Sequence, residues 1–275
     1  MQGENKMVDK KFNLKNFTSK HKHKLRKDGT RRGGVEDLVV ATNPKSSFAE
    51  AVKSIKTNVM FSSVERNLKT ILVTSPESGD GKSFLVANLA TAFAQDGKRV
   101  LVVDGDMRKG RQHEIFGIEN DKMAGYSNYI LRYKSAENVG MMAFIRPEIY
   151  VKPTQVNNVY LLPAGPTPPN PLELISSENN RKLINSFREQ YDIVIIDCPP
   201  ALGLSDALVM SKYTDVNIVT VTNAKTKIDQ LEDVKKNFEK VNSKISGVVI
   251  NKAKVGGGYY SSYYADEYYS KLNND

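Results

Sequence analysis

An apolar run, Thr70–Thr74 (TILVT), leads directly into Ser75–Ser83 (SPESGDGKS), and that loop opens onto the helical pattern SFLVANLATAFAQ. A strand, a glycine-containing loop and a helix in that order constrain the fold more than any other feature of the chain. The loop nearly spells Gly, four residues, then Gly-Lys-Ser, but Pro76 stands where the first Gly belongs. The glycines nearest a bound phosphate are kept. Backbone N–H groups around Gly79, Asp80 and Gly81 can therefore converge on phosphate oxygens at the positive end of a helix. In such a loop Lys82 reaches the β- and γ-phosphates and the Ser83 hydroxyl ligates Mg2+, with Phe84 next in the nucleotide-contacting set. Lys82 is expected on an exposed loop, so that Lys82→Met would spare the fold. A chance turn is the competing reading, and placement between strand and helix argues against it.

Five more β-rich runs follow the same grammar: Arg99–Asp104, Val159–Leu162, Asp192–Asp197, Val216–Thr222 and Gly247–Asn251. Most are continuously apolar instead of alternating, as for strands covered on both faces of a parallel sheet. Helical patterns lie between them, among them Ser83–Gln95 and Ile228–Val241. Strands alternating with helices predict a single doubly wound α/β domain with a mostly parallel sheet. No internal repeat or second domain is visible. Before the first strand, Ser47-Phe48-Ala49-Glu50 has capping-box spacing, and Val52, Ile55, Val59 and Met60 fall on one helical face. Residues 120–157 are the least legible and suggest one helix and an irregular loop, with Tyr126, Tyr129 and Tyr133 as packing residues.

Two strands end in acids. RVLVVDGDMR carries Asp104 and Asp106, and DIVIIDCPP carries Asp197. In open α/β sheets ligands bind at the carboxyl ends of the strands, which is where the phosphate loop also lies. One acid there could be a helix cap. Three beside a phosphate loop favour metal ligation and general-base work.

Composition sets the outer limits. The chain has 275 residues, enough for one large core, and is 40% hydrophobic. No apolar run approaches the roughly 18 residues of a membrane helix. The single cysteine, Cys198, excludes an internal disulfide and suits a reducing cytoplasm. Of the net charge of +9, residues 1–34 supply +8. That basic segment has few large apolar residues and is expected to be a disordered tail spanning 1–40, ahead of a folded domain over 41–255. Two roles are open for it: a solubilising arm, or a contact with an anionic membrane surface, where each Lys or Arg contributes about 1 kcal/mol. Nucleic acid is not expected as a partner, because the folded part shows no basic patch interleaved with aromatics. His21 and His23 lack Cys or carboxylate partners at metal-ligand spacing.

The last segment, 256–275, starts with Gly256-Gly257-Gly258, a flexible hinge, and holds six of the thirteen tyrosines in YYSSYYADEYY. A packing strip is the bland reading, but the run has no consistent apolar face.

SPESGDGKS, LVVDGDMRKG and IVIIDCPP, in that order, resemble the Walker A, A′ and B motifs of the bacterial tyrosine kinases of capsular and exopolysaccharide synthesis. LPAGPTPPNPLELISSE resembles the Pro-rich segment of the same family, and the likeness runs over about residues 45–269. The resemblance implies a P-loop fold of the deviant-Walker type and ATP- and Mg2+-dependent autophosphorylation on tyrosine. It implies that Lys82 and Ser83 bind phosphate and Mg2+, that Asp104 and Asp106 serve the metal and the incoming hydroxyl, and that Asp197 supports the metal. It makes Tyr259, Tyr260, Tyr263, Tyr264, Tyr268 and Tyr269 the phosphoacceptors. Asn251 matches an adenine-contacting Asn, or else is a turn residue at a strand end. The implied partners are neighbouring subunits of a homo-oligomer, protein substrates bearing tyrosine, and the cytoplasmic segment of a transmembrane activator of the polysaccharide co-polymerase kind. That activator would hold a cytoplasmic protein at the inner face of the membrane.

Departures are few. The family's Glu-x-x-Arg-x-x-Arg for ring assembly reads Glu50, Lys53 and Lys56 here, and lysine lacks the bidentate fork. The rival readings are a partitioning or division-site ATPase without kinase activity, and a non-catalytic nucleotide-binding scaffold. Against the first stand Glu77, where those ATPases carry a signature Lys, and the tyrosine cluster; against the second stand the retained Asp104, Asp106 and Asp197.

Overall fold

The computed structural model describes residues 34–62, 67–118, 124–138 and 147–253. The basic segment 1–33, the tyrosine cluster and the Gly256–Gly258 hinge lie outside the described residues.

Chain order explains the architecture. A short turn at Val35–Asp37 and helix α1 (Val39–Thr42) precede α2 (Ser47–Phe61). Then come β1 (Thr70–Thr74), α3 (Lys82–Gln95), β2 (Val100–Asp104), α4 (Gln112–Ile115), α5 (Tyr126–Asn138) and α6 (Pro147–Tyr150). The second half runs β3 (Lys152–Pro153), β4 (Val159–Leu162), α7 (Pro171–Ser176), α8 (Glu178–Gln190), β5 (Ile193–Asp197), α9 (Asp206–Met210), β6 (Val216–Thr222), α10 (Ile228–Lys240) and β7 (Gly247–Asn251).

The seven strands form one sheet in the order β3-β4-β2-β5-β1-β6-β7, parallel except for β3. Side chains alternate across it: Leu72, Leu101, Val103, Val194 and Ile196 enter one core, and Ile71, Val73, Val102, Ile193 and Ile195 the other. Both faces are thus dry, which is why the strands read as unbroken apolar runs. Helix α3 lies in the second core, buried along nearly its whole length, and its alanines let sheet and α2 approach from either side. The first core is closed by α8 (Leu183, Ile184, Phe187) and α10 (Val234, Phe238). Between β1 and β2 the chain crosses over β5, so the carboxyl ends of β1, β5 and β2 lie side by side.

Details correct several expectations. Leu38 and Val40, on the tail side of the expected boundary at residue 41, are fully buried, so the packed body begins earlier. The cap of α2 is Ser46, one residue before the expected Ser47: the Ser46 hydroxyl accepts from the Ala49 amide at 3.2 Å. Glu50 pairs instead with Lys53 at 2.7 Å, and Lys56 reaches Asp96 at 2.5 Å. Val52 and Val59 are buried as expected, but Met60 is 46% exposed because it rotates off the core-facing stripe. In the region 120–157, α5 is joined by α6 and by the short antiparallel strand β3. Tyr126 and Tyr129 pack in the core, Tyr129 stacking on Tyr150 at 4.4 Å. Tyr133 lies on α5, and its side chain falls outside the described set. The Pro-rich segment anchors this helix: the carbonyls of Pro163 and Ala164 accept from the amides of Tyr126 and Ser127 at 2.7 and 3.1 Å.

One polar clamp fixes the far end of the sheet. Asp215 Oδ2 accepts from the Lys69 and Thr70 amides and the Thr70 hydroxyl at 2.8 to 2.9 Å, and the Arg188 guanidinium lies 3.0 Å from Oδ1. Partial burial alone would raise the carboxyl pKa, but these amide, hydroxyl and guanidinium donors together hold it below the ordinary value. A depressed folded-state pKa stabilises above the unfolded value and is lost as pH falls through the folded one. Asp215→Ala is therefore expected to cost about 2 kcal/mol at neutral pH, four donors losing their acceptor. The gap to wild type should narrow as pH falls below about 4. Urea unfolding across pH measures both; a gap constant down to acid conditions would rule out the charge-assisted clamp.

Candidate functional site

The loop from Ser75 to Gly81 follows β1 and delivers its last residues to the N-terminus of α3. Gly79 and Gly81 both adopt φ of +90°, a left-handed conformation costly for residues with a Cβ. Gly81 is also the N-cap of α3. The loop is clamped from the far strands. The Asp80 carboxylate accepts from the Thr222 hydroxyl and the Glu77 amide at 2.9 and 3.0 Å. Asn251 Nδ2 donates to the Asp80 carbonyl at 2.9 Å, and Lys252 Nζ to the Gly79 carbonyl at 2.8 Å. Asn251 thus holds the loop in place, at the strand end where the sequence set it.

Lys82 is the first residue of α3 and is buried, 9% exposed. Its ammonium lies 3.3 Å from Asp106 Oδ2 and 3.3 Å from Asp197 Oδ1, and 3.4 Å from the Ser83 hydroxyl. Burial alone would lower the ammonium pKa, but Asp197, Asp106 and Asp104 outweigh it and hold the group above its ordinary range. Asp104 and Asp197 are register partners on β2 and β5, both fully buried. Asp104 Oδ2 accepts from the Gln112 amide at 3.0 Å. Burial, reinforced by the charge of Asp197, pushes the Asp104 carboxyl well above its ordinary value. Asp106 is oriented by a tight turn in which its Oδ1 accepts from the Arg108 and Lys109 amides at 3.3 and 2.9 Å, leaving Oδ2 for Lys82.

Gln112 carries no mark in the sequence that singles it out. Its Nε2 donates both to Asp197 Oδ2 at 2.8 Å and to the Ser83 carbonyl at 3.0 Å, tying the end of β5 to the start of α3. Thr222, Lys252 and the Arg108–Asp206 ion pair, 2.5 Å long, were likewise not legible.

A cleft of about 730 Å3 lies over these residues, lined among others by Gly81, Lys82, Ser83, Phe84, Asp106 and Asn251. Phe84 is braced from behind by Phe48, ring centroids 4.9 Å apart. Of the expected residues, Gly79, Gly81, Lys82, Ser83, Phe84, Asp106 and Asn251 line this cleft, Asp80, Asp104 and Asp197 do not, and the acceptor tyrosines lie outside the described residues. Among the described residues no three of His, Cys, Asp or Glu converge to chelate a metal unaided. Mg2+ asks for less: one or two protein oxygens, with phosphate and water completing the octahedron. Two carboxylates lie 3.3 Å from one ammonium, Asp104 adds its charge to theirs, and Asp104 Oδ1 is buried without a hydrogen-bond partner. The residues fit a hydrated divalent cation beside Ser83.

A parallel sheet with a lysine-bearing glycine loop at its switch point and acids on the adjoining strand ends defines a P-loop nucleotide-binding protein. Comparison with known proteins agrees: the family described as AAA domain matches residues 68–249. The tyrosine-protein kinase YwqD of Bacillus subtilis is 34% identical over 82% of this chain and 92% of its own. The tyrosine-protein kinase wzc of Salmonella typhi is 33% identical over 88% of this chain but only 32% of its own length. The crystal structure of the chimerical protein CapA2B2 superposes with a TM-score of 0.70 at 34% identity, over 80% of this chain and 93% of that one. The chain belongs to the bacterial tyrosine-protein kinases.

Proposed function

We propose that this chain transfers the γ-phosphoryl group of ATP to tyrosine hydroxyls, those of the Tyr259–Tyr269 cluster on a neighbouring copy foremost, and thereby regulates capsular or exopolysaccharide synthesis. The observation that carries this reading is Lys82 held 3.3 Å from both Asp106 and Asp197 behind the glycine loop. Asp106 alone of the three acids lines the 730 Å3 cleft, and it also borders an adjoining hollow of about 490 Å3. Pro199, Pro200, Leu202 and Leu204 give that hollow apolar walls suited to a phenol ring. With nucleotide on one side and tyrosine on the other, Asp106 lies between donor and acceptor.

In the transfer the tyrosine oxygen bonds to phosphorus, the bond to the β,γ-bridging oxygen breaks, the phenolic proton passes to Asp106, and ADP departs. Lys82 and the amides around Gly79–Gly81 take up the charge on the non-bridging oxygens, so positioning and neutralisation do most of the catalysis. Ser83, Asp104 and Asp197 would hold Mg2+, which would supply further neutralisation when bound. Gln112 keeps Asp197 and Ser83 in register.

The match is 92% of YwqD but 32% of wzc, so most of wzc lies outside it. We assign activation to the cytoplasmic end of a separate membrane protein, and the +8 of residues 1–34 to attraction toward anionic lipid.

The test mixes an Asp106→Asn chain bearing an intact tail with an active chain lacking residues 259–269, in labelled ATP, with and without the activator segment. Phosphotyrosine should appear on the Asp106→Asn chain. If it stays unlabelled while wild type labels itself, transfer occurs within one subunit. Release of ADP with no phosphotyrosine on any chain would instead favour the ATPase reading.

A further inference from the structure

Among the described residues, strand β7 is a sheet edge left open on three sides. It pairs with β6 along one side, and the strand order ends with it, so among the described residues its outer edge has no ladder partner. On one face a groove of about 760 Å3 runs between β7 and α10, floored by Phe238 and Leu231 and bordered by Val248. On the other a smaller hollow of about 160 Å3 separates β7 from α2, lined by Ile55, Val59 and Val249. Val248 and Ile250 are 44% and 62% exposed. An apolar strand with unpaired backbone groups is a template for one more strand, and proteins ordinarily cover such an edge.

We propose that residues 259–264 of the tyrosine cluster add to this edge as an antiparallel strand of the same chain. The chain leaves β7 at Asn251, and Lys252 adopts φ of +56°, a turn conformation. Residues 252–258, with three glycines, form a connection long enough to return it along the outer edge. The spacing of the tyrosines fits a strand. Period two sends Tyr259 and Tyr263 to one face and Tyr260 and Tyr264 to the other, so each groove receives two rings. Tyrosine favours such a half-buried pleated surface. Five residues of β7 match a segment of this length, leaving Asp266, Glu267, Tyr268 and Tyr269 beyond the end of the edge.

Docking of the segment is independent of the kinase reading; its consequence rests on it. A parked strand withholds Tyr259–Tyr264 from any active site, so Tyr268 and Tyr269 are phosphorylated first and the other four only after release. The device is a self-covering edge that sets the order of modification.

Amide hydrogen exchange on the full chain, without nucleotide, tests the docking. Removing residues 254–275 should speed exchange at Val248–Ile250 by about tenfold or more. Ile250→Lys in the intact chain, a change at an exposed position, should do the same. Protection in the intact chain should persist through a hundredfold dilution. Unchanged exchange on truncation overturns the proposal, and protection lost on dilution assigns the edge to a second copy. The second arm follows phosphotyrosine by mass spectrometry over time. Early label at Tyr268 and Tyr269 in wild type, evened out in Ile250→Lys, supports the ordering. Equal early label at all six with edge protection intact removes the ordering alone, and no phosphotyrosine with protection intact counts against the kinase reading alone.

Discussion

Lys82→Met should abolish tyrosine phosphorylation and also lower the stability of the protein by about 3 kcal/mol. Loss of activity follows from the loss of the cation that reaches the transferring phosphoryl group. The stability cost departs from the expectation of an exposed loop. Lys82 is buried in the first turn of α3, and two of the three surrounding carboxylates, Asp104 and Asp197, are fully enclosed. Without the ammonium, like charges face one another with no compensation, and a broken buried ion pair is far more costly than one never formed. Lys82→Arg separates the two effects, keeping the charge while its wider planar head misplaces it. It should retain most of the stability and little of the activity. Urea unfolding with chelator and without nucleotide gives the first quantity, and phosphotyrosine immunodetection the second. A Lys82→Met chain as stable as wild type would show that the acids are not held apart by this lysine. Persisting phosphotyrosine would dismantle the site assignment.

Much of this was legible because two kinds of signal were strong. Strands covered on both faces must be apolar throughout, so TILVT, VLVVD and IVIID stood out and their bounds were off by at most one residue. The site residues Lys82, Ser83, Asp104, Asp106 and Asp197 sit at or just beyond strand ends, where topology itself brings them together. Strand β3 escaped notice because two residues, Lys152 and Pro153, carry no periodicity, and a proline belongs only at an edge. Gln112, Thr222 and Lys252 escaped for another reason. They enter the site from the start of a short helix, a strand end and a loop, and a polar residue at such a place has no sequence mark separating a clamp from a solvated side chain. The cap of α2 slipped by one because Ser46 and Ser47 are equally good caps, and only the backbone decides between them. Lys53 and Lys56, read as weakened ring contacts, are engaged within this chain by Glu50 and Asp96.

Gly81→Ala should be far more damaging to nucleotide binding than Gly79→Ala, its counterpart in the same loop. Gly79 and Gly81 share a φ of +90°, so an alanine at either carries the same backbone strain, about 1–2 kcal/mol. Their surroundings differ. A Cβ at Gly79 meets nothing within 4 Å, whereas at Gly81 it would stand 2.0 Å from Asn251 Nδ2, the amide that clamps the Asp80 carbonyl. The second substitution therefore adds expulsion of the clamp to the strain. Since nucleotide affinity depends on the amides of this loop pointing inward together, Gly79→Ala should weaken ATP binding about tenfold and Gly81→Ala about a hundredfold or more. Removing the obstacle in Gly81→Ala/Asn251→Ala should not restore wild-type affinity. The collision is gone, but so are the clamp and the relaxed backbone, and the double variant should stay at least about tenfold weak. Titration of each variant with a fluorescent ATP analogue orders the three. If Gly79→Ala and Gly81→Ala bind alike, Asn251 is not in the way and the loop is not held from β7; if both bind like wild type, the loop does not cradle phosphate at all.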